Sequence, residues 1–430
     1  RTGRSPDMED VKLNLEKIGI GLPEVLLPKQ GTDLSKWSVV ACDQFSSERG
    51  YWEEVKEFVG DAPSTLRLIL PECYLEDGDT ASRVEAINAE MKACLANVLE
   101  PVGEGFVLID RKTAFAPSRK GLVVAVDLEA YSFEAGATSL IRPTEGTILK
   151  RLPPRMAVRR GATLDLPHIL ILLDDRDRTV IEPLFSAKKS FRKLYDFELM
   201  QDGGSIAGWH VPEPAMGEVS KALEKLALDG FLFAVGDGNH SLATAKSLWE
   251  ERKAAGASSD DPARWALVEV ENIHDEGLHF HPIHRVLFGL ETEAFFADMT
   301  KALGGWLEVA PAEPTAKTEQ GHVIGIVSEK GDARFVFNPQ EERMTVEFFQ
   351  EFLDGYLEKH PEITIDYIHG EDAVREMGSK PGNAGFFMPP LDKSTFFRRI
   401  IEVGPYPRKT FSIGEATEKR YYLECRKLVR

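Results

Sequence analysis

The sequence predicts an α+β protein of mixed sheets and helices, divided into two to three subdomains, on three observations. The chain has 430 residues, more than one ordinary hydrophobic core serves. Strand-length apolar runs are interleaved with helical periodicity, most clearly over Thr80 to Leu99, where Val84, Ile87, Met91, Leu95 and Val98 recur at three- and four-residue spacing. Phe231 to Lys246 then joins a strand, a tight turn and a helix start in one stretch.

In chain order, residues 1–7 are polar and featureless and are set aside as a tag or disordered leader. Val11 to Ile18 reads as a short helix, and Pro23 and Pro28 hold the next segment extended. Trp37 to Ala41 and Leu66 to Leu70 read as strands around a helix over Ser47 to Val59. Strands follow at Phe106 to Arg111 and Leu122 to Asp127. Leu166 to Leu173 is a buried strand entered through His168 and left through Asp174 and Asp175. A helix over Gly217 to Leu228 leads into the Phe231 strand, and Trp265 to Asn272 alternates as another. Pro311 to Gln320 has linker composition, followed by a hairpin, His322 to Val327 and Ala333 to Asn338, around Lys330-Gly331-Asp332. A helix over Met344 to Leu357 comes next. The expected division is an N-terminal α/β region over 8–212, a strand-turn-helix core over 213–312 and a C-terminal α/β region over 313–430.

Composition narrows the function classes. Lys and Arg number 52 against 70 Asp and Glu, a formal charge of −18, so the chain as a whole lacks the basic footprint of a nucleic-acid binder. Cys42, Cys73, Cys94 and Cys425 stand apart without CxxC spacing, which argues against a zinc ribbon or a disulfide framework and for the cytoplasm. No apolar run approaches a membrane span. Self-assembly into a homo-oligomer is left open.

The chemistry concentrates at the Phe231 to Lys246 turn. Gly236 and Gly238 let the backbone turn sharply, and Asp237, Asn239, His240 and Ser241 stand where the helix amides point outward. Such an end attracts phosphate or carboxylate; alternatively Asp237 or Asn239 simply caps the helix. Residues Ile141 to Gly161 carry Arg142, Lys150, Arg151, Arg155, Arg159 and Arg160, with Thr144 and Glu145 between them. Arginine binds phosphate and carboxylate through two parallel donors. Pro153-Pro154 is expected to break any helix here, which weakens the reading of a merely solvated charged face. His279 and His281 would share one face of an extended segment, for which a metal site is the sharp reading, but the HxHxxH pattern running on to His284 is not a recognised ligand spacing and no cysteine or carboxylate completes an obvious set. Beside His284, Arg285 adjoins a proton carrier, and Arg408, Lys409 and Thr410 form a second basic cluster.

Several strings taken together carry a resemblance: VACDQF, GDAPSTLRLILPE, IRPTEGTI with RLPPR, LPHILILLDD, VGDGNHSLATAK, ENIHDEGL with PIHRV, and PRKTFSIGEATEKRYYLE. In this order, from about residue 20 onward, they resemble the family catalogued as domain of unknown function ten-fifteen. The Asp237 to Ser241 turn also resembles the phosphate-binding turn of the ParB/sulfiredoxin-like fold, whose relatives include nucleotide hydrolases and a free-serine kinase using ADP. The resemblance implies phosphate binding by Asp237, Asn239 and His240; at Ser241 this chain departs from an Arg that family members carry.

The resulting expectation is a cytoplasmic small-molecule phosphotransferase, a kinase using ADP or ATP and Mg²⁺ on a small hydroxyl or amino-acid substrate, serine among the candidates. Gly236, Gly238, Asn239, Ser241 and Thr144 would hold phosphate, with Arg142, Arg285, Arg408 and Lys409 as charge partners. Asp237 would serve in catalysis or bind the metal, Glu145 would be the general base and His240 a proton or hydrogen-bond donor. The alternatives are a nucleotide or phosphoester hydrolase and a non-catalytic nucleotide-binding switch or scaffold.

Overall fold

A computed structural model describes residues 8–314 and 321–429 and resolves the chain into two compact units. The first comprises Arg1–Leu278, Phe397–Pro405 and Glu415–Arg430, the second His279–Phe396 and Tyr406–Gly414. The second unit is thus a sequence insertion within the first. The strand-turn-helix segment belongs to the first unit, while the residues from His279 onward that were grouped with it open the second.

The first unit is organised on a sheet of nine strands: β1 (Ile20–Gly21), β2 (Val107–Lys112), β3 (Arg119–Asp127), β4 (Ile141–Pro143), β5 (Leu170–Leu173), β6 (Arg192–Glu198), β7 (Ser205–His210), β8 (Phe233–Asp237) and β9 (Trp265–Asn272). Their order is β4-β8-β5-β9-β3-β2-β7-β6, with β1 also on β3. The sheet is mixed, because β4 runs parallel to β8 and β5 parallel to β9 while the other pairs are antiparallel.

Both faces of this sheet are covered. Period-two alternation sends Val107, Ile109, Val123 and Leu267 into one apolar cluster and Leu108, Val124, Val126, Val268 and Val270 into another. The alternating pattern of β9 therefore does not mark a solvated face: Glu269 and Glu271, on the side of Leu267, are buried in a network with Arg119 and Arg420. Around the sheet lie α1 (Met8–Lys17), α2 (Arg49–Val59), α3 (Thr80–Asn97), α4 (Leu152–Arg160), α5 (Glu213–Leu226) and α6 (Asn239–Ala254), with α4 packed on α6.

Three local expectations are corrected. Trp37 to Ala41 is not a strand, since Leu34–Trp37 is a helical turn followed by irregular chain, and Leu66 to Leu70 begins as a 3₁₀ turn over Thr65–Arg67. The two segments meet through Thr65, whose hydroxyl donates to the Trp37 carbonyl at 2.7 Å and accepts from Val39 N–H at 3.4 Å. That exchange satisfies buried backbone without a ladder, and apolar runs alone do not distinguish the two solutions. Pro153 and Pro154 start α4 and do not break it, because the first helical turn needs no N–H donors.

The second unit has a six-stranded sheet formed by β10 (His284–Phe288), β11 (Trp306–Glu308), β12 (His322–Ser328), β13 (Gly331–Phe337), β14 (Thr364–Ile368) and β15 (Asn383–Phe387), in the order β11-β13-β12-β15-β10-β14. The hairpin around Lys330-Gly331-Asp332 is present, with Ser328 opposite Gly331. Helices α7 (Thr292–Leu303), α8 (Thr345–Leu357) and α9 (Glu371–Gly378) accompany it. Residues 1–7 and, within the linker expected at Pro311 to Gln320, residues 315–320 lie outside the described residues. No helix among the described residues is long and apolar enough to cross a membrane.

Candidate functional site

Strand β8 leaves the sheet through a bulge. Val235 pairs with Ile171 and Asp237 with Leu170, so Gly236 is the extra residue that re-aims the strand end. Gly238 follows in the left-handed conformation, φ 78° and ψ 27°, and is the N-cap of α6 with no side chain to cap it. The polar residues expected to cap this corner are turned elsewhere.

Asn239 faces the chain leaving β4. Parallel pairing sets Pro143 beside Val235, so Thr144 emerges next to the turn. Asn239 Oδ1 accepts from Thr144 N–H at 3.2 Å, and its Nδ2 donates to Thr144 Oγ1 at 3.3 Å and to the Val235 carbonyl at 3.4 Å. His240 Nε2 accepts from Ile148 N–H at 3.3 Å, which places the proton of a neutral ring on Nδ1. Glu145 lies on the short stretch anchored at Thr144 and Ile148, while Thr147 Oγ1 in that stretch is buried without a hydrogen-bond partner.

Two side chains from the end of the chain complete the corner. Lys419 Nζ stands 2.9 Å from Asp237 Oδ2, and Asp237 Oδ1 accepts from Gly238 N–H at 2.9 Å. Burial pushes the Asp237 carboxyl up, but Lys419, His168 and the Gly238 amide together outweigh it and hold it below its usual range. Ser241 Oγ lies 2.8 Å from His168 Nε2, and His168 Nδ1 lies 3.1 Å from the Tyr422 hydroxyl. That hydroxyl accepts from Cys42 N–H at 3.3 Å.

Of these residues, Ser241, His168, Tyr422 and Cys42 border a cavity of about 140 Å³ walled by Leu68, Ile69, Leu70, Met91, Val158 and Leu166. Glu72 and Arg155 line it as an ion pair. Burial raises the Glu72 carboxyl in spite of that pair, and burial pushes the Cys42 thiol up to about 12, leaving it protonated and unreactive.

The basic residues singled out in the sequence are distributed differently from the composite site expected. Arg142 points back to the start of β8, where Nε donates to the Ser139 carbonyl at 2.9 Å, another nitrogen reaches the Gly230 carbonyl at 3.4 Å, and the guanidinium lies 4.5 Å from the Phe231 ring centre. It therefore does not clamp a ligand at the other end of the strand. Arg155, Arg159 and Arg160 pair with Glu72, Asp165 and Glu251. Arg285, Arg408 and Lys409 belong to the second unit. There Arg285 is fully buried, donates to the Ile283 carbonyl and to Gln350 Oε1, and lies 5.3 Å from the Tyr367 ring centre. Lys409 is exposed with φ 59° and Arg408 is exposed beside it.

A metal fits poorly. Among the described residues no three His, Cys, Asp or Glu side chains gather to hold one, His279 and His281 included. Asp237 meets an ammonium group at the position a cation would take.

Lys419 and Tyr422 are positioned by buried charge. Arg111, fully enclosed, donates to the carbonyls of Thr417, Glu418 and Lys419, and Arg420 pairs with Glu269 and Glu424. With those neighbours locked into the sheet, Lys419 projects to Asp237 and Tyr422 to His168. Lys419, Tyr422 and Glu72 carry no local signal in the sequence, and His168 reads there only as a strand entry; all four lie in strings that carry the family resemblance.

The fold and the corner define an α+β protein with an uncapped strand-bulge-helix junction, suited to an anion and flanked by a lysine. The chain belongs to the family described as protein of unknown function (DUF1015), whose model matches residues 26–356. No curated protein matches it. Among solved structures it is similar to a free serine kinase in complex with AMP, at 13% identity and TM-score 0.40 over 71% of this chain and 92% of that one. It is also similar to a conserved hypothetical protein from Pyrococcus furiosus, at 14% identity and TM-score 0.37 over 71% of this chain and 94% of that one.

Proposed function

We propose that this corner binds the phosphate of a small molecule and that the protein is a small-molecule phosphotransferase, moving a phosphoryl group from ADP or ATP to a small hydroxyl or amino-acid acceptor such as serine. The observation that carries the reading is the uncapped N-terminus of α6 with Lys419 beside it. Helix amides and a fixed ammonium are what a transferring phosphoryl group needs, since this reaction depends on positioning and charge neutralisation. Lys419 stands in for the cation that Ser241 lacks.

In this reading Asn239 holds the Thr144 stretch against the helix, Glu145 on that stretch takes the acceptor proton, and His240 offers its Nδ1–H. Asp237 sets the position of Lys419. The cavity wall is mainly apolar, and in this reading a bound acceptor that fills it displaces water and favours transfer over hydrolysis.

The test is incubation of the purified protein with ADP or ATP, with and without Mg²⁺, and an amino-acid panel, followed by ³¹P NMR. A new phosphoester signal that depends on acceptor is expected. Unchanged nucleotide under every condition refutes the reading.

A further inference from the structure

We propose that Ser241 is a nucleophile that carries the phosphoryl group as a covalent phosphoserine between donor and acceptor, a step that rests on the phosphotransferase reading above. Its hydroxyl meets a base that is already oriented. Ser241 Oγ is 2.8 Å from His168 Nε2, and His168 Nδ1 is 3.1 Å from the Tyr422 hydroxyl.

The mechanism uses the tautomer in which the Tyr422 phenol oxygen, which accepts from Cys42 N–H at 3.3 Å, also receives His168 Nδ1–H. Nε2 then carries the lone pair that faces Ser241. The His168 and Tyr422 rings also meet edge to face, centroids 5.4 Å apart, which fixes the imidazole plane.

Ser241 lies in the first turn of α6, where helix charge favours a developing oxyanion, and it opens on the apolar cavity. The imidazolium formed during attack has two carboxylates near it, Asp237 beside Lys419 and Glu72 beside Arg155.

In the first half-reaction Ser241 Oγ attacks the terminal phosphorus of the nucleotide. The Oγ–P bond forms, the bond from phosphorus to the bridging oxygen breaks with its electron pair leaving on the shortened nucleotide, and the hydroxyl proton passes to His168 Nε2. In the second, the acceptor oxygen attacks the phosphoserine while Glu145 takes the acceptor proton. The P–Oγ bond breaks, and His168 returns its proton to Oγ. The acceptor proton leaves from Glu145 to solvent, so the cycle balances as nucleotide plus alcohol to shortened nucleotide, phosphoester and one proton.

Two measurements on the full chain test this. Diisopropyl fluorophosphate, which needs no nucleotide, is expected to label Ser241 by peptide mass, at least about 10-fold more slowly in His168→Gln and not at all in Ser241→Ala. Nucleotide labelled with ³²P in its terminal phosphoryl group is expected to leave acid-stable label on Ser241, chased off by acceptor. Tyr422 is a positioning residue, so Tyr422→Phe lowers kcat with KM unchanged. Product from Ser241→Ala at the wild-type rate, or product from a wild-type protein whose Ser241 takes neither label, overturns the phosphoserine and leaves the phosphotransferase reading standing. No product from either nucleotide overturns that reading instead. Ser241→Ala and wild type are compared only where their melting curves coincide.

Discussion

Lys419 and Asp237, 182 positions apart in sequence, meet at 2.9 Å at the head of α6. The pair fixes an ammonium group beside the helix amides, so Lys419→Ala removes the principal cation of the proposed site. Binding of ADP is expected to weaken on the order of 10- to 100-fold, the worth of one or two charge-assisted hydrogen bonds. Asp237→Asn removes the carboxylate that opposes an anion at this corner, and binding of inorganic phosphate is then expected to tighten while turnover falls. Isothermal titration calorimetry on both variants checks the opposite signs.

Gly238 sits at φ 78°, and a Cβ there would stand 3.1 Å from Ile169 Cα. Gly238→Ala is expected to cost about 1–2 kcal/mol for the left-handed backbone alone, with strain added because the neighbouring atom is backbone. Thermal melting falls by several degrees, and ligand affinity falls with it because the helix start moves.

Asn239→Ala cuts the two hydrogen bonds between the turn and the Thr144 stretch and a third to the Val235 carbonyl. A loss of about 1–3 kcal/mol is expected, seen locally as faster hydrogen exchange at the Thr144 amide. Asn239→Asp keeps the acceptor for that amide yet places a carboxylate at the helix end. It retains part of the protection and loses anion binding.

Burial pushes the Glu271 carboxyl from 4.5 up to about 8, with Arg119 offsetting part of the rise and Glu269 adding to it. The folded state therefore binds the proton more tightly than the unfolded chain. Its contribution is greatest below the unfolded value of 4.5 and is lost as pH rises through about 8. Glu271→Gln should remove this slope. Urea unfolding across the window is expected to show the Gln variant gaining on wild type as pH rises.

The sequence disclosed the elements whose patterns are local. Strand β9 begins and ends where alternation placed it, α6 starts at Asn239, and the hairpin turns at Gly331. Trp37 to Ala41 was misread because an apolar run specifies burial without specifying a ladder partner. At the site, the glycines signalled the turn, yet the arginines near it in sequence drew attention to Arg142, which serves the far end of β8. Lys419, His168 and Tyr422 were illegible because each comes from a distant segment and only the register of β4, β8 and β5, together with the buried anchors Arg111 and Arg420, brings them together. Spacing cannot report a neighbour that distant in the chain.

The segment held by Arg111 and Arg420 also ties two sides of the corner to one support. Cys42 and Asp237 lie far apart in sequence, yet each meets a residue of one four-residue stretch, Tyr422 and Lys419. A change at buried Arg111 or Arg420 therefore displaces both partners together, and a substitution remote from the cavity is felt at Asp237 and at His168 at once.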